Sequence, residues 1–154
     1  MSIISIFALL VIFQFKHLIA DYFLQGGFML KKFLPGWNFF LPLLAHTLVH
    51  GLFTIVIVLF YAPSLWWLGL VDMTIHFIMD RIKAGPKYLG RFKALSAKEF
   101  KKVYDTYLHA DNEESRNKAK SRIKSNIYFW WSLGVDQMVH HLTDLFVVYC
   151  IIVM

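Results

Sequence analysis

Cysteine is almost absent from this chain. The single Cys150 excludes an internal disulfide and any site built on several thiolates, so a bound metal must be held by nitrogen and oxygen. No internal repeat or low-complexity tract is present, and neither a zinc-finger nor an RNA-recognition pattern accompanies the basic residues. Nucleic acid is therefore not an expected partner. The first apolar run lacks a preceding basic residue, and the stretch from Lys16 to Asp21 is no small-residue cleavage site. It is expected to remain as a span rather than be removed as a signal peptide.

What the chain does have is apolar length. Of its 154 residues, 58% are apolar and 18% aromatic. The pattern predicts an all-α integral membrane four-helix bundle, a single domain over residues 1–154. Its spans are expected at about 3–24, 39–61, 64–83 and 127–153, each near the length that crosses roughly 30 Å of hydrocarbon. Pro35, Gly36 and Pro42 punctuate the first connection, and Ala62 to Ser64 mark a tight turn.

The charges orient these spans. Of 16 Lys and Arg, 13 lie between Arg81 and Lys124, and Lys31 and Lys32 lie in the first connection. The positive-inside rule places both basic connections in the cytoplasm and both termini outside, as in a bacterial inner membrane. A basic, partly helical cytoplasmic loop is expected over about 84–126, between spans three and four. Ser96 to Glu99 and Asp111 to Glu114 each fit a capping box that starts a helix. After the first box, Phe100, Val103, Tyr104, Tyr107 and Leu108 form an apolar stripe. That helix suits the membrane surface or a lid over a site below. The second, rich in Lys and Arg, is expected to lead into span four as a solvated stalk. Trp66, Trp67, Trp130 and Trp131 suit interfacial anchors and homo-oligomer contacts equally well.

The polar residues inside the apolar runs are the chemical signal. His17 and Asp21, His46 and His50, Asp72, His76 and Asp80, and Asp136, His140 and Asp144 recur at four-residue spacing. That spacing stacks groups on one helix face. Six of seven His and five of seven Asp fall in the apolar runs, where ionisable groups are costly. With neighbouring spans antiparallel, most of these groups share one layer roughly 5–20 Å below the cytoplasmic face, at ~1.5 Å per residue. Asp144 is expected to lie deeper.

A central Asp costs ~2.5–3.5 kcal/mol on insertion scales. A divalent cation offsets two carboxylates at once and accepts neutral His nitrogens, so His17, Asp21, His46, His50, His76, Asp80, Asp136 and His140 are the candidate ligands. Such a mixed set suits zinc, manganese or iron without selecting among them. Asp136 or Asp21 is a candidate general base. Gln25 lies on the Asp21 face, and Lys83, three after Asp80, either snorkels or binds a substrate phosphate. Lys16 is a candidate substrate contact or a counter-charge to a carboxylate. Gln137 and His141 flank the main stripe, and His109 is read as a surface residue.

The strings His17-Leu-Ile-Ala-Asp21-Tyr-Phe-Leu-Gln25, His46 with His50, His76-Phe-Ile-Met-Asp80-Arg-Ile-Lys83 and Asp136-Gln137-x-x-His140 resemble a family of small bacterial and phage membrane proteins of unknown function. More loosely, the chain is similar to membrane-bound metal-dependent hydrolases. That likeness implies a metal enzyme embedded in lipid. Three functions suit the residues: a metal-dependent hydrolase acting on membrane lipid or a lipid-linked phosphate, proton or metal-ion conduction, and a non-catalytic protein whose polar cluster staples the helices. Conduction is opposed by the nearly unbroken apolar character of residues 3–13 and 145–154. An enzyme site needs an opening, whereas a staple is sealed.

Overall fold

The computed structural model describes all 154 residues and is all-helical. Helix α1 spans Ile3–Leu18 and runs on into a π-helical turn at Ile19–Phe23. A 3₁₀ turn at Met29–Phe33 follows, then α2 at Phe40–Tyr61, a second 3₁₀ turn at Pro63–Leu65 and α3 at Leu68–Ala84. After a third 3₁₀ turn at Leu89–Arg91 come α4 at Ala97–Leu108 and α5 at Glu113–Val153.

Three helical segments are long and apolar enough to cross a membrane: Ile3–Phe23, Phe40–Tyr61 and Glu113–Val153. Helix α3 starts later than the expected residue 64. Pro63 begins a 3₁₀ turn, and the chain is still reversing direction until Leu68, leaving a helix of 17 residues. At ~1.5 Å per residue it is about 26 Å long, slightly under the hydrocarbon thickness. Helix α5 is one uninterrupted rod of 41 residues, so the basic stalk and the fourth apolar run share an axis. Its cap is Asn112, whose side chain accepts the Ser115 N–H at 2.8 Å, one residue beyond the expected Asp111. Asn and Asp cap about equally well, so either position was chemically suitable. At α4 the capping box forms as expected between Ser96 and Glu99, and the Ser96 hydroxyl and N–H hold the exposed Glu99 carboxyl below its ordinary range.

The burial pattern is inverted relative to a water-soluble domain. As many polar or charged residues are buried as apolar ones, while large apolar side chains such as Phe7, Phe60, Leu142 and Tyr149 face outward. Lipid contact removes the usual penalty on exposed apolar surface, and ionisable groups turn inward to find partners. The Thr47, Ser132 and Thr143 hydroxyls donate to carbonyls three or four residues back, which satisfies them within their own helices.

The interior is divided lengthwise. Leu9, Phe13, Val58, Leu65, Leu68, Val147 and Ile151 form an apolar layer at the end away from the basic segments. The buried His and Asp fill the other half. In the long loop, α4 packs on α5 and sinks Val103, while Phe100, Tyr104 and Leu108 of its apolar stripe stay exposed. The loop before α4 is pinned to α5, with the Leu95 N–H donating to Asn126 Oδ1 at 2.8 Å.

Helices α2 and α3 are in tight contact where Gly51 faces Gly69. A Cβ built on Gly69 would lie 2.3 Å from Ile55 Cγ1 and 2.7 Å from the Gly51 carbonyl. Small residues at such crossings let backbones meet in lipid. Arg81 closes the basic end of the same pair, its guanidinium 3.5 Å over the Phe39 ring. Gly69→Ala is expected to destabilise the protein by about 1–3 kcal/mol through overpacking. Gly134→Ala in α5, with nothing within 4 Å of its Cβ, is expected to be neutral or stabilising. Thermal unfolding in detergent compares the two, and equal shifts would refute the tight crossing.

Candidate metal centre

Four segments deliver the polar cluster: α1 with its π turn, α2, α3 and α5. Asp21 sits inside the π turn, which widens the helix by one residue per turn and is a local geometry common at functional sites. From there its carboxylate meets three imidazoles. Oδ2 lies 3.0 Å from His17 Nε2, and Oδ1 lies 3.3 Å from His46 Nε2 and 3.2 Å from His50 Nε2. On α3, Asp80 turns its two oxygens in different directions. Oδ2 is 3.1 Å from His46 Nε2, and Oδ1 is 3.6 Å from His140 Nε2. On α5, Asp136 Oδ1 lies 3.3 Å from His140 Nε2.

These contacts define three donor groups, the ligand atoms within each lying within 4.8 Å of one another: Asp21, His46 and His50; His17, His50 and His76, which shares His50 with the first; and Asp80, Asp136 and His140. All eight ligand candidates read from the spacing thus meet in one place. The His76 ring stacks between His50 and His140, with both centroid distances at 3.9 Å.

Two features fit a divalent cation better than a purely hydrogen-bonded core. A tetrahedral zinc site with bonds of about 2.0–2.1 Å spaces its ligand atoms about 3.3–3.4 Å apart. The six N–O separations here run from 3.0 to 3.6 Å. Yet His17 Nε2 and His46 Nε2 are buried with no hydrogen bond, because their N–O lines are not aligned for an N–H to donate. Donor atoms that are close but misaligned resemble lone pairs aimed at a shared centre.

The second feature is the tautomer of His76. Its Nδ1 contacts the Asp72 carbonyl at 3.1 Å and the Asp72 carboxylate at 2.9 Å. A carbonyl only accepts, so Nδ1 carries the proton and Nε2 keeps a bare lone pair. That Nε2 is buried without a partner. A carboxylate orienting a histidine from behind is the usual outer arrangement of a metal-bound imidazole.

Asp72 belongs to a second network behind this histidine. The Lys16 ammonium donates to Asp72 Oδ2 at 2.8 Å and to Asp144 Oδ1 at 2.9 Å, with its side chain 1% exposed. Thr54 adds a 2.6 Å hydrogen bond to Asp72 Oδ2. Lys16 is thus placed as a counter-charge, and its ammonium is enclosed by these carboxylates. Asp144, expected to lie deep, is tied to the cluster through Lys16 and sits 3.9 Å from His17 Nδ1.

The cluster opens toward the basic end. A cavity of about 300 Å³ is lined by Asp21, Gln25, Lys32, Asp80, Lys83 and Gln137, among others. Lys32 donates to Asp80 Oδ2 at 2.7 Å and Lys83 to Asp136 Oδ2 at 2.6 Å. Gln137 also donates to Asp136 Oδ2, and Gln25 donates to the Asp21 carbonyl. His141 lies beside His17, with ring centroids 5.1 Å apart. Lys32 and Thr54 are the partners that sequence reasoning missed. Thr54 follows His50 by four and was available on the same spacing. Lys32 lies in a connection, where only charge and topology were legible.

Compared with known proteins, the chain matches no family model, no curated protein and no solved structure. The geometry of the cluster therefore carries the functional argument.

Removing Lys16 leaves two enclosed carboxylates without their cation. Lys16→Met is expected to destabilise the fold by about 3–5 kcal/mol. Adding Asp144→Asn should restore part of that loss. Unfolding in detergent measures both, and a neutral Lys16→Met would overturn the counter-charge assignment.

Proposed function

We propose that the chain is an intramembrane divalent-metal-binding protein acting as a metal-dependent hydrolase on a lipid or lipid-linked phosphate. The observation that carries this reading is the cavity that reaches the Asp21 and Asp80 carboxylates from the basic end. A structural staple would be closed over, whereas these two acids have a way in. The apolar layer from Leu9 to Ile151 at the other end argues against a conducting path.

In this reading α1, α2, α3 and α5 form a four-helix membrane bundle, with α3 as its short member. The basic loops lie in the cytoplasm of a bacterial cell and both termini outside, by the distribution of Lys and Arg. The likeness of the motif strings to a family of small membrane proteins supports this reading.

His17, Asp21, His46, His50, His76, Asp80, Asp136 and His140 would hold one or two ions. Asp80 is the residue able to serve both, since each oxygen faces a different donor group. Zinc, manganese and iron all accept this nitrogen and oxygen set. When bound, such an ion supplies an acidified water and polarises a phosphoryl oxygen. The residues of the chain position and move protons around it. A carboxylate left free of the ions would be the proton acceptor; Asp21 lines the cavity and its side chain is 15% exposed, against 1% for Asp136, so access favours Asp21 for that part. Gln25 and Lys83 at the opening are the contacts for a substrate oxygen.

The test is metal content by mass spectrometry after chelator-free purification, with a His76→Ala, Asp80→Ala double variant alongside. Stoichiometric metal in the native protein and its loss in the variant are expected. Mn²⁺-loaded protein should show the spin coupling of neighbouring ions if the cluster holds two. A folded, metal-free native protein would refute the reading.

A further inference from the structure

Charge inside the cluster constrains what the cavity can accept. Five carboxylates, those of Asp21, Asp72, Asp80, Asp136 and Asp144, are gathered with three lysines, Lys16, Lys32 and Lys83. With imidazoles neutral, as metal ligands must be, the set carries two uncompensated negative charges. One divalent cation makes it neutral. Two make it doubly positive, and a dianion entering the cavity then restores neutrality.

Lys32 and Lys83 are placed to receive that dianion. Both line the cavity, and their ammoniums rest on Asp80 Oδ2 and Asp136 Oδ2. Asp80 and Asp136 are also the carboxylates of one donor group. Asp80 Oδ2 in particular faces Lys32 at 2.7 Å and His46 Nε2 at 3.1 Å. An oxygen engaged by a divalent cation holds a neighbouring ammonium less well, because the two cations repel at short range. Lysine stems are flexible and carry three donors each. Released from the carboxylates, the two ammoniums remain at the opening, beside the Gln25 and Gln137 amides.

We infer that Lys32 and Lys83 are exchangeable counter-ions: they neutralise Asp80 and Asp136 without metal, and with two divalent cations bound they clamp a phosphate dianion in the cavity. This inference rests on the metal-binding reading and names the substrate group as a phosphomonoester. It also gives Lys32 a part in recognition that its position in a connecting turn did not suggest. Metal and phosphate binding are then positively coupled, each tightening the other by the same factor.

Titration calorimetry on the full-length protein in detergent, with Mn²⁺ alone and then inorganic phosphate, tests the exchange. Phosphate is expected to bind at least about tenfold more tightly with Mn²⁺ than with chelator, the scale of a charged hydrogen bond. Lys32→Met and Lys83→Met should each keep Mn²⁺ stoichiometry, which also reports correct folding, and lose that gain. Lys120→Met on the exposed stalk should behave as wild type. Mn²⁺ binding with phosphate affinity untouched in both cavity variants would overturn the exchange and leave the metal site standing. No Mn²⁺ binding in the wild type would overturn both. Repeating the titration in phosphatidylcholine nanodiscs with and without phosphatidate separates the sources. Competition by phosphatidate assigns the clamp to a lipid headgroup, and undiminished phosphate binding assigns it to a water-soluble ester.

Discussion

Burying four carboxylates, with a fifth half-buried at the cavity, in a bundle whose outer surface is apolar is the constraint on which the rest of this structure depends. An isolated carboxylate in that setting would not stay ionised, and several would oppose insertion. Every acid in the cluster therefore has a basic partner within 4 Å: Lys16 for Asp72 and Asp144, Lys32 for Asp80, Lys83 for Asp136, and histidines for Asp21. This pairing fixes the mutual rotation of α1, α2, α3 and α5, since each helix contributes at least one member. Side-chain shape alone would specify it poorly, because hydrocarbon tails are as apolar as the helix surfaces they touch.

Local geometry serves the same constraint. The π turn at Ile19–Phe23 delivers Asp21 to histidines from both α1 and α2. The Gly51 and Gly69 contact brings α2 near enough to α3 for His46 to reach Asp80. The 3₁₀ turn at Met29–Phe33 folds the first connection back so that Lys32 is buried rather than solvated. These irregular or close-packed features each place a charged or imidazole group that a straight helix would present elsewhere.

Much of this was legible in the sequence, for reasons that differ by residue. The apolar lengths of α1 and α2 located them to within a few residues, because turn-forming residues close both runs, Gln25 to Gly27 after the first and Ala62 to Ser64 after the second. The start of α3 was missed because Leu65, Trp66 and Trp67 continue the apolar run through a turn set by Pro63. The four-residue spacing of His and Asp showed which faces converge, as the contacts of His17, His46, His76 and His140 demonstrate. It left open which acids would sit among histidines and which behind them. Asp72 and Asp80 share one stripe, yet Lys16 and Thr54 draw the first into a charge network while His46 and His140 surround the second. Those assignments depend on neighbouring helices, and a helical wheel does not contain them. The reach of Lys32 and the widened turn at Asp21 are tertiary facts of the same kind.

The apolar layer from Leu9 to Ile151 has a consequence for traffic. It makes the polar chamber a cul-de-sac, with its mouth at the basic end. Anything that enters must leave by the same door, so a departing molecule stands in the path of the next arrival. If the chamber works on a substrate as proposed, its rate is governed by how quickly the exit clears, and inhibition by the released group follows from its shape.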